Sequence, residues 1–277
     1  MHKLIYHSLN KFIHQLKSSL IVGLLVLALF GMFSNSAQAS KAMKALAFDA
    51  TSGMVEVASV YETSYPAQKT VAKSLKNSSK LMKKAAGFKG LSMLQSQDGK
   101  QIIMLSQWQD LASYQAYTPP EITTSSKGKA SAPPPAPTQT LIFEVETAQT
   151  AIEGATPALR GKEAVVQLTQ FAAKSPEAQS KVLTQVEAMI PEVLQKQPIP
   201  QSVVLLKAVD DGVVTLLTNW NCSALFEDVG EPGALEPSSD LVALADSEQN
   251  LYSVVSIIPA EAEDDGEGDF KKGKYYD

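Results

Sequence analysis

The sequence predicts an α+β protein built from two copies of one β-α-β-β-α-β unit. Three observations carry that class. A strand-then-helix pattern recurs once along the chain, an Asp-Gly turn sits in the middle of each copy, and the only two tryptophans, Trp108 and Trp220, close corresponding strands. At 277 residues, 44% hydrophobic and 19% charged, the chain can build a packed core and reads neither as a disordered polymer nor as a multi-pass membrane protein.

The first copy opens at residues 55–61, Val-Glu-Val-Ala-Ser-Val-Tyr, an alternation that suits a strand with one face buried. Pro66 then starts a helix, since a residue without an N–H costs nothing in the first turn. On that helix Val71, Leu75, Ser78, Met82 and Ala85 share a face. The second copy repeats the sequence of events, with a strand at 164–171, a helix opened by Ser175-Pro176, and Val182, Val186, Met189 and Val193 on its inner face. Pro191 falls inside this second helix and is expected to kink or restart it.

A hairpin follows each helix: 91–96 and 101–108 around Asp98-Gly99, then 202–209 and 213–220 around Asp211-Gly212. Asp-Gly favours a tight primed turn, whose central residues need positive φ. Six residues beyond each tryptophan stands another aromatic, Tyr114 or Phe226, on a second short helix. Closing strands at 140–146 and 251–258 complete the two units. The order is that of a ferredoxin-like fold, four antiparallel strands with helices on one face. One unit alone leaves its other sheet face bare, so the two copies are expected to pack as an intramolecular pseudo-dimer, an α+β barrel.

The organisation read from the chain is a leader at 1–39, unit one at 40–147 with a Pro-rich loop at 118–139, a linker at 148–162, unit two at 163–260 with a loop at 230–249, and an acidic tail at 261–277 expected to be disordered. Residues 1–39 carry Lys3, Lys11 and Lys17, no acid, an apolar run at 20–33 and Ala37-Gln38-Ala39. The run is shorter than the roughly 20 residues of a membrane span, and the small-x-small triplet fits cleavage after Ala39. The expectation is an exported protein, in a periplasm or equivalent lumen or secreted, with no stable membrane span after cleavage. An uncleaved N-terminal anchor is the alternative.

Cleavage would remove His2, His7 and His14, leaving no histidine. It takes away three of 24 basic residues and none of 29 acidic ones, for a net charge of −8. Nucleic-acid partners are unexpected for such a chain, because phosphate binding needs clustered cations. Cys222 has no second cysteine to pair with and reads as inert. Ser126 and Lys129 have Ser-x-x-Lys spacing but lie in the Pro-rich loop, and Gly266-x-Gly268 has no strand before it. No metal and no cofactor are expected.

Residues 57–61, Pro66, the first helix, Ala86-Gly87-Phe88-Lys89-Gly90, the Asp98-Gly99 hairpin and Trp108-Gln109-Asp110 together resemble an antibiotic biosynthesis monooxygenase domain. The resemblance is best over 55–117. In copy two Pro198-Ile199-Pro200 replaces the Gly-Phe step. It implies a dimeric α+β barrel and, for function, either cofactor-independent oxygenation of a hydrophobic aromatic or quinol-type molecule or a non-catalytic binding or interaction module. By resemblance the catalytic positions are Trp108 and Tyr114. Tyr61, Met104, Tyr117, Trp220 and Phe226 are the ligand-contacting ones. Met104 and Leu216 stand where aromatic-polyketide members carry asparagine, and the family's histidine has no counterpart after residue 39. The non-catalytic module is therefore the leading expectation.

Overall fold

The computed structural model describes residues 44–118, 135–162, 164–210 and 212–260. The leader, most of the Pro-rich loop, Asp211 and the acidic tail fall outside the described residues, as do Ser126, Lys129, Gly266 and Gly268.

Each copy folds in the expected order. In copy one, β2 (Val55–Glu62) leads to α1 (Tyr65–Met82), the hairpin β3 (Phe88–Ser96) and β4 (Gln101–Trp108), α2 (Leu111–Ala116) and β5 (Gln139–Thr150). In copy two, β7 (Val165–Ala173) leads to α3 (Ala178–Val193), β8 (Ser202–Ala208), β9 (Val213–Trp220), a short turn of helix ending in α4 (Phe226–Val229), α5 (Ser239–Leu244) and β10 (Ala245–Pro259). All pairings are antiparallel.

The pseudo-dimer closes edge to edge into a single eight-stranded barrel, in the order β10-β3-β4-β2-β5-β8-β9-β7. The closing strands make this possible because both run longer than their sequence pattern suggests. β5 pairs with β2 of its own copy up to Glu144 and with β8 of the other copy from Phe143 to Thr150. β10 does the same, pairing with β7 through Ser253 and with β3 from Tyr252 to Pro259. Each has a register shift where it crosses over, at Val145/Thr147 and Val254/Ser256. A bulge bends and twists a strand, which barrel closure requires. Both outer edges of each four-stranded sheet are thereby paired, and the open edge a lone unit would present is gone.

Alternation along the strands separates two cores. Inward residues such as Ala58, Val60, Leu105, Phe143, Val166, Val204, Leu206, Leu217 and Val254 fill the barrel. Outward residues form one apolar layer under the helices of each copy. One end of the barrel is stoppered by a two-stranded sheet absent from the sequence reading: β1 (Ala45–Ala47) pairs with β6 (Ala158–Arg160), which lies inside the supposed linker. Leu46, Phe48 and Leu159 are buried in the interior core.

Three local expectations are corrected. The copy-one hairpin uses a four-residue connection in which only Gly99 has positive φ (77°), so it is not a primed two-residue turn; Asp98 instead caps the turn by accepting from Lys100 N at 3.0 Å. α3 is continuous from Ala178 through Pro191 to Val193, so the helix does not restart at the proline. The loop expected at 230–249 contains α5 and the first residues of β10. Gly87 behaves as its place in the Gly-Phe step implies: φ is 76°, and a Cβ there would lie 2.4 Å from Ser113 Cβ.

Candidate functional site

The outer layer of copy one brings together all five of its predicted site residues. Trp108, at the end of β4, has no exposed surface. Its ring meets Phe88 edge-on at 5.6 Å, Tyr114 at 5.7 Å and Tyr117 at 5.2 Å between centroids. Its indole N–H donates to Ser106 Oγ at 3.0 Å. Met104 and Tyr61 are buried in the same layer, with Leu75 of α1 above them. Tyr114 is placed by Asp110, whose side chain caps α2 by accepting from Ser113 N at 2.7 Å. Burial raises the phenols of Tyr114 and Tyr117 above the ordinary tyrosine range. For Tyr61 burial is again the main cause, the neighbouring Tyr114 adds to it, and Ser59 pulls the other way. These phenols stay protonated at neutral pH. They can donate a hydrogen bond but do not supply a base.

Copy two arranges the corresponding place differently. Trp220 meets a single ring, Phe226, at 5.7 Å, and its N–H donates to Pro198 O at 2.8 Å. Val229 stands in α4 where a second tyrosine follows in copy one, and it is exposed. A recess of about 20 Å³ remains beside Trp220, lined by Val193, Pro198, Thr218, Leu235 and Gln167. Across it runs the segment 232–235, held by Gln167 Nε2 on Gly233 O (3.3 Å), Lys196 Nζ on Ala234 O (3.3 Å) and Leu235 N on Gln249 Oε1 (2.9 Å).

The sequence reading missed the polar group at the stoppered end of the barrel. The residue before each tryptophan points inward and grips the stopper: Gln107 Nε2 donates to Ala47 O at 2.5 Å, and Asn219 Nδ2 donates to Ala158 O at 3.0 Å. Gln107 also donates to Glu56 Oε1 at 2.7 Å. Glu56 is fully buried, and its second oxygen has no partner among the described residues. Burial pushes its carboxyl up to about 8, with the Gln107 hydrogen bond opposing. The alternation Val55-Glu56-Val57 was the available signal, yet a charge on a strand reads by default as a solvated face. Glu56 lies on the opposite side of the sheet from Trp108 and belongs to the stopper rather than to the aromatic layer.

Among the described residues no three His, Cys, Asp or Glu side chains cluster as a metal site, and no helix is long and apolar enough to cross a membrane. Cys222 is half-buried, and its sulfur accepts from Ala224 N at 3.3 Å.

No family model matches the sequence, and no curated protein matches it. Solved structures do match. An anthrone oxidase-like protein aligns with a TM-score of 0.56 at 16% identity, over 79% of this chain and 97% of its own. A candidate monooxygenase of Fusobacterium nucleatum subsp. nucleatum aligns with a TM-score of 0.48 at 11% identity, over 76% and 95%. An uncharacterised ferredoxin-fold protein of Listeria monocytogenes, related to antibiotic biosynthesis monooxygenases, gives 0.36 at 12% identity, over 74% and 96%. The fold is that of the antibiotic biosynthesis monooxygenase-like dimeric α+β barrels, completed here within one polypeptide.

Proposed function

We propose that this chain is an exported, non-catalytic module that binds a small apolar ring compound beside Trp220. The observation that carries the reading is the contrast between its tryptophans. Trp108 is enclosed by three rings, whereas Trp220 meets one and borders an open recess in the equivalent position. The recess as it stands has room for about one water molecule. A ring compound therefore enters by displacing the 232–235 segment, which only a few hydrogen bonds hold. Copy one supports the barrel. Export rests on the character of residues 1–39, and the mass of the protein recovered from the cell envelope tests it: a chain beginning at Ser40 is expected.

With Trp108→Phe, Trp220 becomes the sole indole reporter. Titration with hydroquinone or anthrone should then quench its emission to saturation and raise the thermal midpoint. Absence of both responses rejects the reading.

The second reading is cofactor-independent oxidation of an aromatic or quinol-type molecule in copy one. It is favoured by the adjacent Tyr61 and Tyr114 phenols beside Trp108, and by likeness in fold to a protein described as anthrone oxidase-like. Steady oxygen uptake with the same compounds, lost in Tyr114→Phe, would establish it in place of the first.

A further inference from the structure

On the far side of the 232–235 segment from Trp220 lies an open groove of about 260 Å³ at the seam between copies. Its walls come from the copy-one hairpin turn (Gln97, Asp98), β7 (Gln167) and β10 (Gln249, Asn250). The apolar residues on it are Pro232 and Leu251. The hairpin is tied to β10 by Gln97 N donating to Leu251 O at 2.9 Å, so the two copies hold the groove in a fixed shape.

Three of the four carboxamides, those of Gln249, Gln167 and Asn250, are oriented by hydrogen bonds that fix their flip. Gln249 Oε1 accepts from Leu235 N and from Thr169 Oγ1 (3.1 Å), which leaves its Nε2 as a donor. Gln167 Nε2 donates to the carbonyl of Gly233, which leaves its Oε1 as an acceptor. Asn250 Nδ2 donates to Glu248 Oε1 at 2.9 Å, leaving a second amide oxygen. Asp98 adds carboxylate oxygens already balanced by Lys100, at 3.3 Å, and the Gln97 side chain makes no hydrogen bond among the described residues. The groove thus offers two amide donors and at least three acceptors, beside apolar surface of similar extent. A hydroxyl both donates and accepts, so a ligand carrying several matches such a lining in full. An aromatic hydrocarbon would leave these groups unpaired, and an anion would face the Asp98 carboxylate and two amide oxygens.

We propose that this groove binds a neutral, hydroxyl-rich small molecule of monosaccharide size. The volume fits, being just below the ~300 Å³ at which pockets for drug-sized ligands begin. The groove shares Gln167, Pro232 and the bonds to the 232–235 segment with the recess beside Trp220, while Gln97, Asp98, Asn250 and Leu251 line the groove alone.

The test is ¹⁵N-detected titration of the full chain with D-glucose, D-galactose and N-acetylglucosamine, each taken far enough to cover millimolar dissociation constants. Sodium acetate serves as the control. Saturable shifts of the Gln97 and Gln249 side-chain amides with at least one sugar, and not with acetate, are expected. Gln97→Ala combined with Asn250→Ala, both on the groove rim outside the core, should weaken that binding by about fivefold or more. The proposal is overturned if no sugar moves these amides saturably, if acetate moves them equally, or if the double variant binds as tightly as the parent. Because Gln97 is bonded to Leu251 and not to the 232–235 segment, its shifts with sugar report this site whether or not a ring compound binds beside Trp220.

Discussion

The two copies share one strand order but hold their outer layers together by different means. In copy two the helix carries the layer: α3 buries Ala178, Val182, Val186, Ile190 and Val193 against the sheet. In copy one α1 buries only Leu75 and Ser79, and the consecutive Asn77, Ser78 and Ser79 are weak helix formers, with the Ser78 hydroxyl donating back to Leu75 O and that of Ser79 to Lys76 O. There the aromatic residues take over, with Trp108 packed among Phe88, Tyr114 and Tyr117. A duplicated unit can therefore diverge in its helical layer while the strands that close the barrel stay matched. The recess beside Trp220 is one product of that divergence.

The sharpest way to break the comparison is to remove each tryptophan. Trp108→Ala should cost about 3–5 kcal/mol in urea unfolding, because the ring leaves a cavity its enclosed neighbours cannot fill. Trp220→Ala should cost measurably less, since that ring has one aromatic neighbour and already adjoins open space. Equal losses would contradict the asymmetry.

Glu56 against Val166, its counterpart opposite Asn219, gives the next largest contrast. With the Glu56 carboxyl held up to about 8 and an ordinary value of 4.5, the unfolded chain releases its proton first. Stability should therefore fall as pH rises from about 4.5 to about 8, by at most about 1.4 kcal/mol per pH unit, and be level in this respect above that window. Glu56→Gln keeps an oxygen acceptor for Gln107, cannot ionise, and should flatten the slope and raise the midpoint at pH 8. Val166→Glu should introduce the same slope in copy two.

Smaller effects are expected at the stopper. Gln107→Ala and Asn219→Ala should each cost roughly 1–3 kcal/mol by releasing a buried carbonyl of β1 or β6. Gln107 should cost more of the two, because Glu56 also loses its donor. Urea midpoints of the pair decide this. Smallest in energy, limited trypsin digestion should cut α1 at Lys73, Lys76 or Lys80 before it cuts α3 at Lys181, given how little of α1 is packed.

Much of this was legible in the residues. The repeat, the paired tryptophans and the hairpins follow from alternation, helical spacing and turn residues, and the grouping of Tyr61, Met104, Trp108, Tyr114 and Tyr117 was implied by the family resemblance. The stopper was not legible, because β1 and β6 are three residues each and take their stability from Gln107, Asn219 and the barrel mouth rather than from any local pattern. The extra length of β5 and β10 was hidden for a related reason. Residues 147–150 and 245–250 are mostly polar, and they become strand because another strand's edge pairs with them. Glu56 was hidden by its charge, and the recess beside Trp220 by being a property of what copy two lacks.

The central claim is that the seams are as much part of the fold as the interiors of the copies. Native-state hydrogen exchange of the amides in 145–150 paired with 202–206, and in 256–258 paired with 91–93, tests it most directly. Exchange at the same free energy of opening as the β2–β4 and β7–β9 pairs is the predicted result. Seam amides that exchange at far lower free energy, while each copy's interior stays protected, would mean two separately folded units resting against one another.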